Sequence, residues 1–372
     1  MYRILVAFLL LSHVSLAQKL NKADKILVEN LKSQVGFLAS DELKGRRAGD
    51  EGETMAAKFI AVKFKEVGLI PKGDNGDYFQ YFTINDGKSI SSNTHLTING
   101  MKLEVGNDFF PLSNTKNGSA KGEASPGLHE KDQPWMIDLA ESLEANKTNP
   151  HFDINNLIAD KLKSAKDKGA SFVLFFNSTK GSDVLKFDPK DRSENTPLPA
   201  AFLGSNGRDK IVKDLTDTYV IEAQLSIEPK IRKSKNVVGY LDNNAQFTVI
   251  IGAHFDHLGF GEDGNSMIRG GELSIHNGAD DNASGVGAML AVAYKLKNSA
   301  SRNNNYLFIA FSGEEKGLYG SNFFCKNPTV TNMNYMINLD MVGRLNAEKS
   351  LAISGVGTAS DWKAELDLVN NY

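Results

Sequence analysis

The sequence predicts an α/β protein in which a mixed, largely parallel sheet lies between helices. Three observations carry that prediction. Residues 237–241, 248–253, 306–311 and 336–341 are almost continuously apolar runs of strand length, as in parallel strands buried on both faces. Segments with helical apolar spacing separate them at 283–296 and 317–324, and strand–helix alternation builds this class. Four motifs stand at the ends of these runs: Ala253-His254-Phe255-Asp256, Gly278-Ala279-Asp280-Asp281-Asn282-Ala283-Ser284-Gly285, Ser312-Gly313-Glu314-Glu315 and Asn338-Leu339-Asp340. Ligands of open α/β sheets collect at the carboxyl ends of strands, so one site can recruit all four.

The chain opens with Arg3, a mostly apolar stretch over 4–16, and small Ala17 before Gln18. That is the pattern of an export signal over 1–17, and the run is shorter than the roughly 20 residues a membrane span needs. The expected location is therefore periplasmic or extracellular, with no span left after signal removal. Cys325 is the single cysteine, so no intrachain disulfide forms. Stability must come from the core and from bound metal instead, with Cys325 expected as a small apolar residue behind the Glu314 loop.

Residues 23–68 read as helical around a loop at 43–49. Ile26, Leu27, Leu31, Val35 and Leu38 recur near a 3.6 period, and Met55, Phe59, Ile60 and Phe64 form one face of a second helix. Gly68 ends that helix, Pro71 blocks its continuation, and 78–84 reads as a strand. Between 113 and 222 the character changes: a polar stretch at 114–126, a helix at 157–168, a strand at 171–176 and an extended segment at 197–202. This reads as a smaller inserted α+β domain, leaving 18–112 and 223–372 as the main domain. Apolar content of 41% and charged content of 23% suit a chain that buries a full core. A net charge of −3 gives no footprint for nucleic acid.

The motifs combine one imidazole with several carboxylates, a donor mixture that suits zinc. His254 closes a strand and Asp256 follows two positions later, on the same side if the strand geometry persists. A carboxylate there can orient a metal-bound imidazole. Asp280 and Asp281 precede a helix, where an aspartate is commonly a plain N-cap. Two adjacent buried carboxylates repel one another unless a cation sits between them, and Asp280 has two oxygens with which to bridge two metals. Glu314 and Glu315 point in different directions at a strand end, so one can ligate while the other serves as a base. Asp340 ends an apolar strand and reads as a further ligand.

On these four motifs, in this order, the chain resembles the secreted di-zinc aminopeptidases of the bacterial leucyl-aminopeptidase type, relatives of glutamate carboxypeptidase II. The resemblance covers 23–110 and 225–372 and implies the three-layer zinc exopeptidase fold. The insert is similar to a protease-associated domain. The resemblance further implies that His254, Asp280 and Asp340 hold one Zn2+ and that Asp280 bridges to a second, also held by Glu315. Glu314 would be the general base, Asp256 the orienter of His254, and the Asp280–Asp281 bond cis. The implied reaction removes the N-terminal residue from peptide or protein substrates with a free N-terminus, using metal-activated water. The family's second zinc takes one more histidine downstream of the Asp340 position, whereas all seven histidines of this sequence precede Asp340. The chain is thus expected to be C-terminally incomplete; His257 and His276 are the histidines that could stand in, but the family often carries the second histidine of a His-x-Asp-His run without using it as a ligand, so neither is expected to ligate. Three alternatives remain: a carboxypeptidase, a single-zinc glutaminyl cyclase, and a non-catalytic peptide-binding protein.

Overall fold

A computed structural model of the protein describes residues 21–370 except 180–182, 269, 271–272 and 346–349. The 1–17 leader lies outside the described residues. Residues 85–231 form one compact unit, and the chain on either side, up to 84 and from 232, forms another.

The flanking unit holds a mixed sheet. Its path runs Ile70–Pro71, Ile227–Leu241, Asn305–Phe311, Thr248–His254, Met333–Asn338, and Phe79–Ile90 also pairs with Ile227–Leu241. Thr248–His254 runs parallel to both of its neighbours, Asn305–Phe311 and Met333–Asn338. On the other side the order turns antiparallel, at Ile227–Leu241 against Asn305–Phe311. All seven residues of Thr248–His254 are buried, which is why this run carries no polar alternation in the sequence.

Period-two alternation sorts the buried residues onto two faces. Val249, Ile251, Ala253, Phe308 and Ala310 pack with Leu38, Ile60, Phe64 and Met289 from the helices Lys22–Leu38, Glu51–Val67 and Gly285–Lys297. Ile250, Leu307, Ile309 and Phe311 pack on the opposite face with Phe324 of the helix Tyr319–Lys326. Helices thus lie on both faces, giving three layers, and each large side chain so buried contributes about 1.5–3 kcal/mol. The helix Glu51–Val67 ends at Gly68 in the left-handed conformation, as the sequence predicts.

The 85–231 unit contains two four-stranded sheets. One is antiparallel, in the order Met101–Lys102, His95–Ile98, Tyr219–Leu225, Gly118–Ala124. In the other, Pro134–Asp138, Phe172–Phe176 and Ala200–Leu203 run parallel and Phe109–Pro111 pairs antiparallel at its edge. The helix Ile154–Asp167 places Ile158, Leu162 and Ala165 against Trp135 and Phe175. The unit takes in the strands His95–Ile98 and Phe109–Pro111, which lie outside the 113–222 segment marked by composition. Their pairing partners, Tyr219–Leu225 and Ala200–Leu203, are far away in sequence, so local composition does not reveal that they belong together.

Candidate metal centre

The parallel register brings the motifs to one end of the sheet. His254 pairs with Phe311, three residues before Glu314, and Gly252 pairs with Asn338, two residues before Asp340. His254 is buried, and its Nε2 lies 3.1 Å from Asp281 Oδ1 and 3.4 Å from Asp340 Oδ1. Zinc bonds of about 2.0–2.1 Å at tetrahedral angles set donor atoms roughly 3.3–3.4 Å apart. The His254, Asp281 and Asp340 atoms therefore fit one such ion.

The carboxylate that meets His254 and Asp340 belongs to Asp281, which corrects the expectation for Asp280. The Asp280 side chain turns away: its Oδ1 accepts from the backbone N–H of Gly343 at 3.0 Å and from the Ser284 hydroxyl at 3.3 Å. The cis bond is correspondingly Asp281–Asn282, not Asp280–Asp281. The physical reason is the backbone between Gly278 and Gly285. Asp281 and Asn282 leave helical geometry there, so the regular helix begins only at Gly285. Asn282, fully buried, fixes this turn to the strand beside it. Its Nδ2 donates to the carbonyl of Leu339 at 2.9 Å, while its Oδ1 accepts from the N–H of Gly285 and of Met341. A Cβ at Gly285 would lie 2.3 Å from the Leu339 carbonyl oxygen, so only glycine permits this approach to the Asp340 segment.

Asp256 works differently from the expected orienter. His254 Nδ1 donates to the Asp256 backbone carbonyl at 3.2 Å, whereas the nearest Asp256 carboxylate oxygen is 3.7 Å away. That carboxylate accepts instead from the N–H of Glu314 at 3.1 Å and of Glu315 at 3.4 Å. Asp256 therefore holds the glutamate loop in place. Behind that loop, Ser312 and Ser234 donate to buried Glu53 Oε1 at 2.9 and 2.6 Å. On its outer side Lys316 and Asp263 pair at 2.8 Å.

Glu315 faces a second group. Its Oε1 lies 2.5 Å from His257 Nδ1, which is 4.0 Å from the same Asp281 Oδ1 that faces His254. The His257, Asp281 and Glu315 donor atoms all lie within 4.8 Å of one another. His276, the other substitute considered, has its ring centroid 6.4 Å from that of His257 and joins neither cluster. Glu314, half-buried between the two clusters, has its carboxyl pushed up by burial and by the nearby charges of Asp256, Glu315 and Asp340, against the pull of His254. Burial disfavours a charged His254, but the carboxylates of Asp256, Asp281 and Asp340 outweigh it and push its pKa up to about 12. Cys325, by contrast, is exposed rather than packed behind the Glu314 loop, because it lies on the outer side of a short surface helix.

Arg46 is a residue of this region that the sequence left in a plain loop. Its guanidinium is buried and donates to four backbone carbonyls, those of Leu38, Phe255, Asn277 and Gly278. It thereby joins the segment after His254 to the segment before Asp281. Burial lowers its pKa to about 10, opposed by the charges of Asp256, Asp281 and Glu315, so it stays protonated at neutral pH. Arg46→Met is expected to destabilise this unit by about 3 kcal/mol or more, since each buried acceptor left unpaired costs about 1–3 kcal/mol. Urea unfolding checks this, and a loss below about 1 kcal/mol would contradict the role of Arg46 as a clamp.

Residues 236–371 match the family described as Peptidase family M28. Alkaline phosphatase isozyme conversion protein of Escherichia coli (strain K12) is 34% identical over 125 residues, covering 33% of this chain and 35% of that protein. Aminopeptidase YwaD of Bacillus subtilis (strain 168) is 26% identical over 192 residues, covering 50% of this chain and 37% of that protein. The matches thus span little more than a third of these relatives. The structure of BSAP, a zinc aminopeptidase from Bacillus subtilis, superposes with a TM-score of 0.43 at 19% identity, covering 92% of this chain and 76% of that one. His254, Asp281, Glu314, Glu315 and Asp340 all lie within the stretch that is similar to Peptidase family M28.

Proposed function

We propose that the chain carries the catalytic centre of an exported zinc aminopeptidase that removes N-terminal residues from peptides. The observation that carries this reading is the sharing of one Asp281 oxygen between two donor clusters, with Glu314 beside both. His254, Asp281 and Asp340 would hold one zinc, and Asp281 with Glu315 would hold a second. Bound there, zinc would acidify water and polarise the scissile carbonyl. Glu314 would take the proton of the attacking water and return it to the leaving amine, a task suited to a carboxylate whose pKa burial has raised. Asp256 keeps Glu314 in reach through its backbone N–H. The family match and the kinship to an aminopeptidase support peptide substrates and the N-terminal direction of attack.

Export rests on the leader read at 1–17. Among the described residues, no helix is long and apolar enough to cross a membrane. The 85–231 unit, which interrupts the peptidase unit in sequence, would be the protease-associated insert. The test is zinc-dependent release from an amino-acid anilide by the purified chain. Turnover is expected with a free amine and not with its N-acetyl derivative, to be lost on adding 1,10-phenanthroline and restored by zinc. Preference for the blocked substrate would favour a carboxypeptidase, and ammonia release from an N-terminal glutamine peptide a cyclase. Zinc binding without any turnover would favour a non-catalytic peptide-binding protein.

A further inference from the structure

We infer that Glu53 is a positioning residue for Glu314: its buried carboxylate, acting through Ser312, fixes the turn that carries the base, an inference that rests on the reading of Glu314 above. Glu53 lies in the first turn of the helix Glu51–Val67 and is fully buried, as is Ser312. The other buried residues of that helix are glycine, alanine, isoleucine and phenylalanine. A carboxylate among them is costly unless its oxygens are satisfied. Its Oε1 collects three donors: the hydroxyls of Ser234 at 2.6 Å and Ser312 at 2.9 Å, and the backbone N–H of Lys235 at 3.3 Å. Its Oε2 has no hydrogen-bond partner among the described residues and faces the Lys235 ammonium at 3.6 Å. The carboxylate is thus spent on two hydroxyls, and one of them belongs to the glutamate loop.

Ser312 is the root of that loop, following the strand Asn305–Phe311 and preceding Gly313 and Glu314. Its N–H donates to Asn236 Oδ1 at 3.2 Å, and its carbonyl accepts from the N–H of Gly320 at 2.9 Å. Asn236 is fully buried, and its Nδ2 donates to Gln80 Oε1 at 3.0 Å and to the Gly320 carbonyl at 2.9 Å. Every polar atom of Ser312 is therefore tied, the backbone through Asn236 and Gly320 and the side chain through Glu53. Gly313 then turns the chain with a φ of 71°, so the direction in which Glu314 leaves the sheet is set at Ser312. Beyond the turn, Asp256 holds the N–H of Glu314 at 3.1 Å. Glu53 at the root and Asp256 at the tip thus fix the base from two ends. A base must be placed this closely, because an error of about 1 Å can cost about 100-fold in rate.

The experiment compares E53A, E53Q, S312A and the E53A/S312A pair in the full chain. Hydrogen exchange read by mass spectrometry should show segment 312–318 exchanging roughly 5–10-fold faster in E53A and S312A, the factor that a lost hydrogen bond of ordinary strength gives. The strand Thr248–His254 should keep its wild-type rate. E53Q retains an oxygen for the two hydroxyls and should exchange like the wild type. In anilide hydrolysis per bound zinc, E53A and S312A should lower kcat by about 10–100-fold with KM unchanged, while E53Q keeps most of the wild-type rate. The pair should lose no more than E53A alone, because both changes break one link. Equal acceleration of exchange in Thr248–His254 would mean general weakening and would overturn the proposal. Wild-type exchange at 312–318 in E53A and S312A would also overturn it. If E53A does not fold, S312A and E53Q decide, and if the chain shows no turnover, exchange decides. E314Q separates the two readings. Lost turnover there, with wild-type kcat in E53A and S312A, would overturn the role of Glu53 alone. Wild-type turnover in E314Q would overturn Glu314 as the base, and the role of Glu53 with it.

Discussion

Glu314→Gln is expected to lower kcat by about 10²–10⁴-fold, the range associated with a positioned general base, while zinc content stays at the wild-type level. The side chain is isosteric, and its backbone N–H can still donate to Asp256 Oδ1, so the loop that carries it should hold its place. What glutamine cannot do is accept and return a proton. Glu314 stands outside both donor clusters, and this separates it from its neighbour: Glu315→Gln should instead lower zinc content. Paired measurements of kcat and of bound zinc distinguish the two glutamates. Wild-type turnover in Glu314→Gln, or loss of metal without loss of turnover, would remove Glu314 from the role of base.

The second large effect is expected at Asp281, and it separates two adjacent aspartates. Asp281 Oδ1 lies 3.1 Å from His254 Nε2 and 4.0 Å from His257 Nδ1, so one oxygen serves both clusters. Asp281→Asn removes the charge that both metals would share, and activity should fall by more than about 100-fold, with zinc lost on dialysis, because outer-shell changes alone reach 10–100-fold. Asp280→Asn is expected to stay within or below that outer-shell range. It disturbs only the contacts with Gly343 and Ser284 that steady the segment after Asp340. Kinetics and zinc content on the two variants, side by side, provide the check. An equal loss at the two positions, or a larger one at Asp280, would overturn this ligand assignment.

These two adjacent aspartates show where the sequence stops speaking. Their chemistry is identical and both stand in the same motif, so nothing local ranks one above the other. The choice is made by a turn in which Asp281 and Asn282 depart from helical angles, and by Asn282, whose amide pins that turn to Leu339 and Met341 across the sheet. Asp256 follows the same pattern. Its spacing from His254 correctly puts it beside the imidazole, but its carboxylate is drawn to the N–H groups of Glu314 and Glu315, partners 58 and 59 positions away in sequence. Arg46 looks like an ordinary loop arginine until the carbonyls of Leu38, Phe255, Asn277 and Gly278 are seen to converge on it.

The sequence by itself determined the α/β class, the apolar strands Thr248–His254 and Asn305–Phe311, the helices around them, and the roster of metal-binding residue types at strand ends. These are legible because burial on one or both faces imprints a period on neighbouring residues, and because metal ligands are a short list of side chains. Only the tertiary structure decided which carboxylate is shared, which carbonyls Arg46 clamps, and that His257 faces Glu315. Those outcomes depend on strand register and on side-chain direction at turns, which are set by contacts between segments distant in the chain and leave no periodic trace in any one of them.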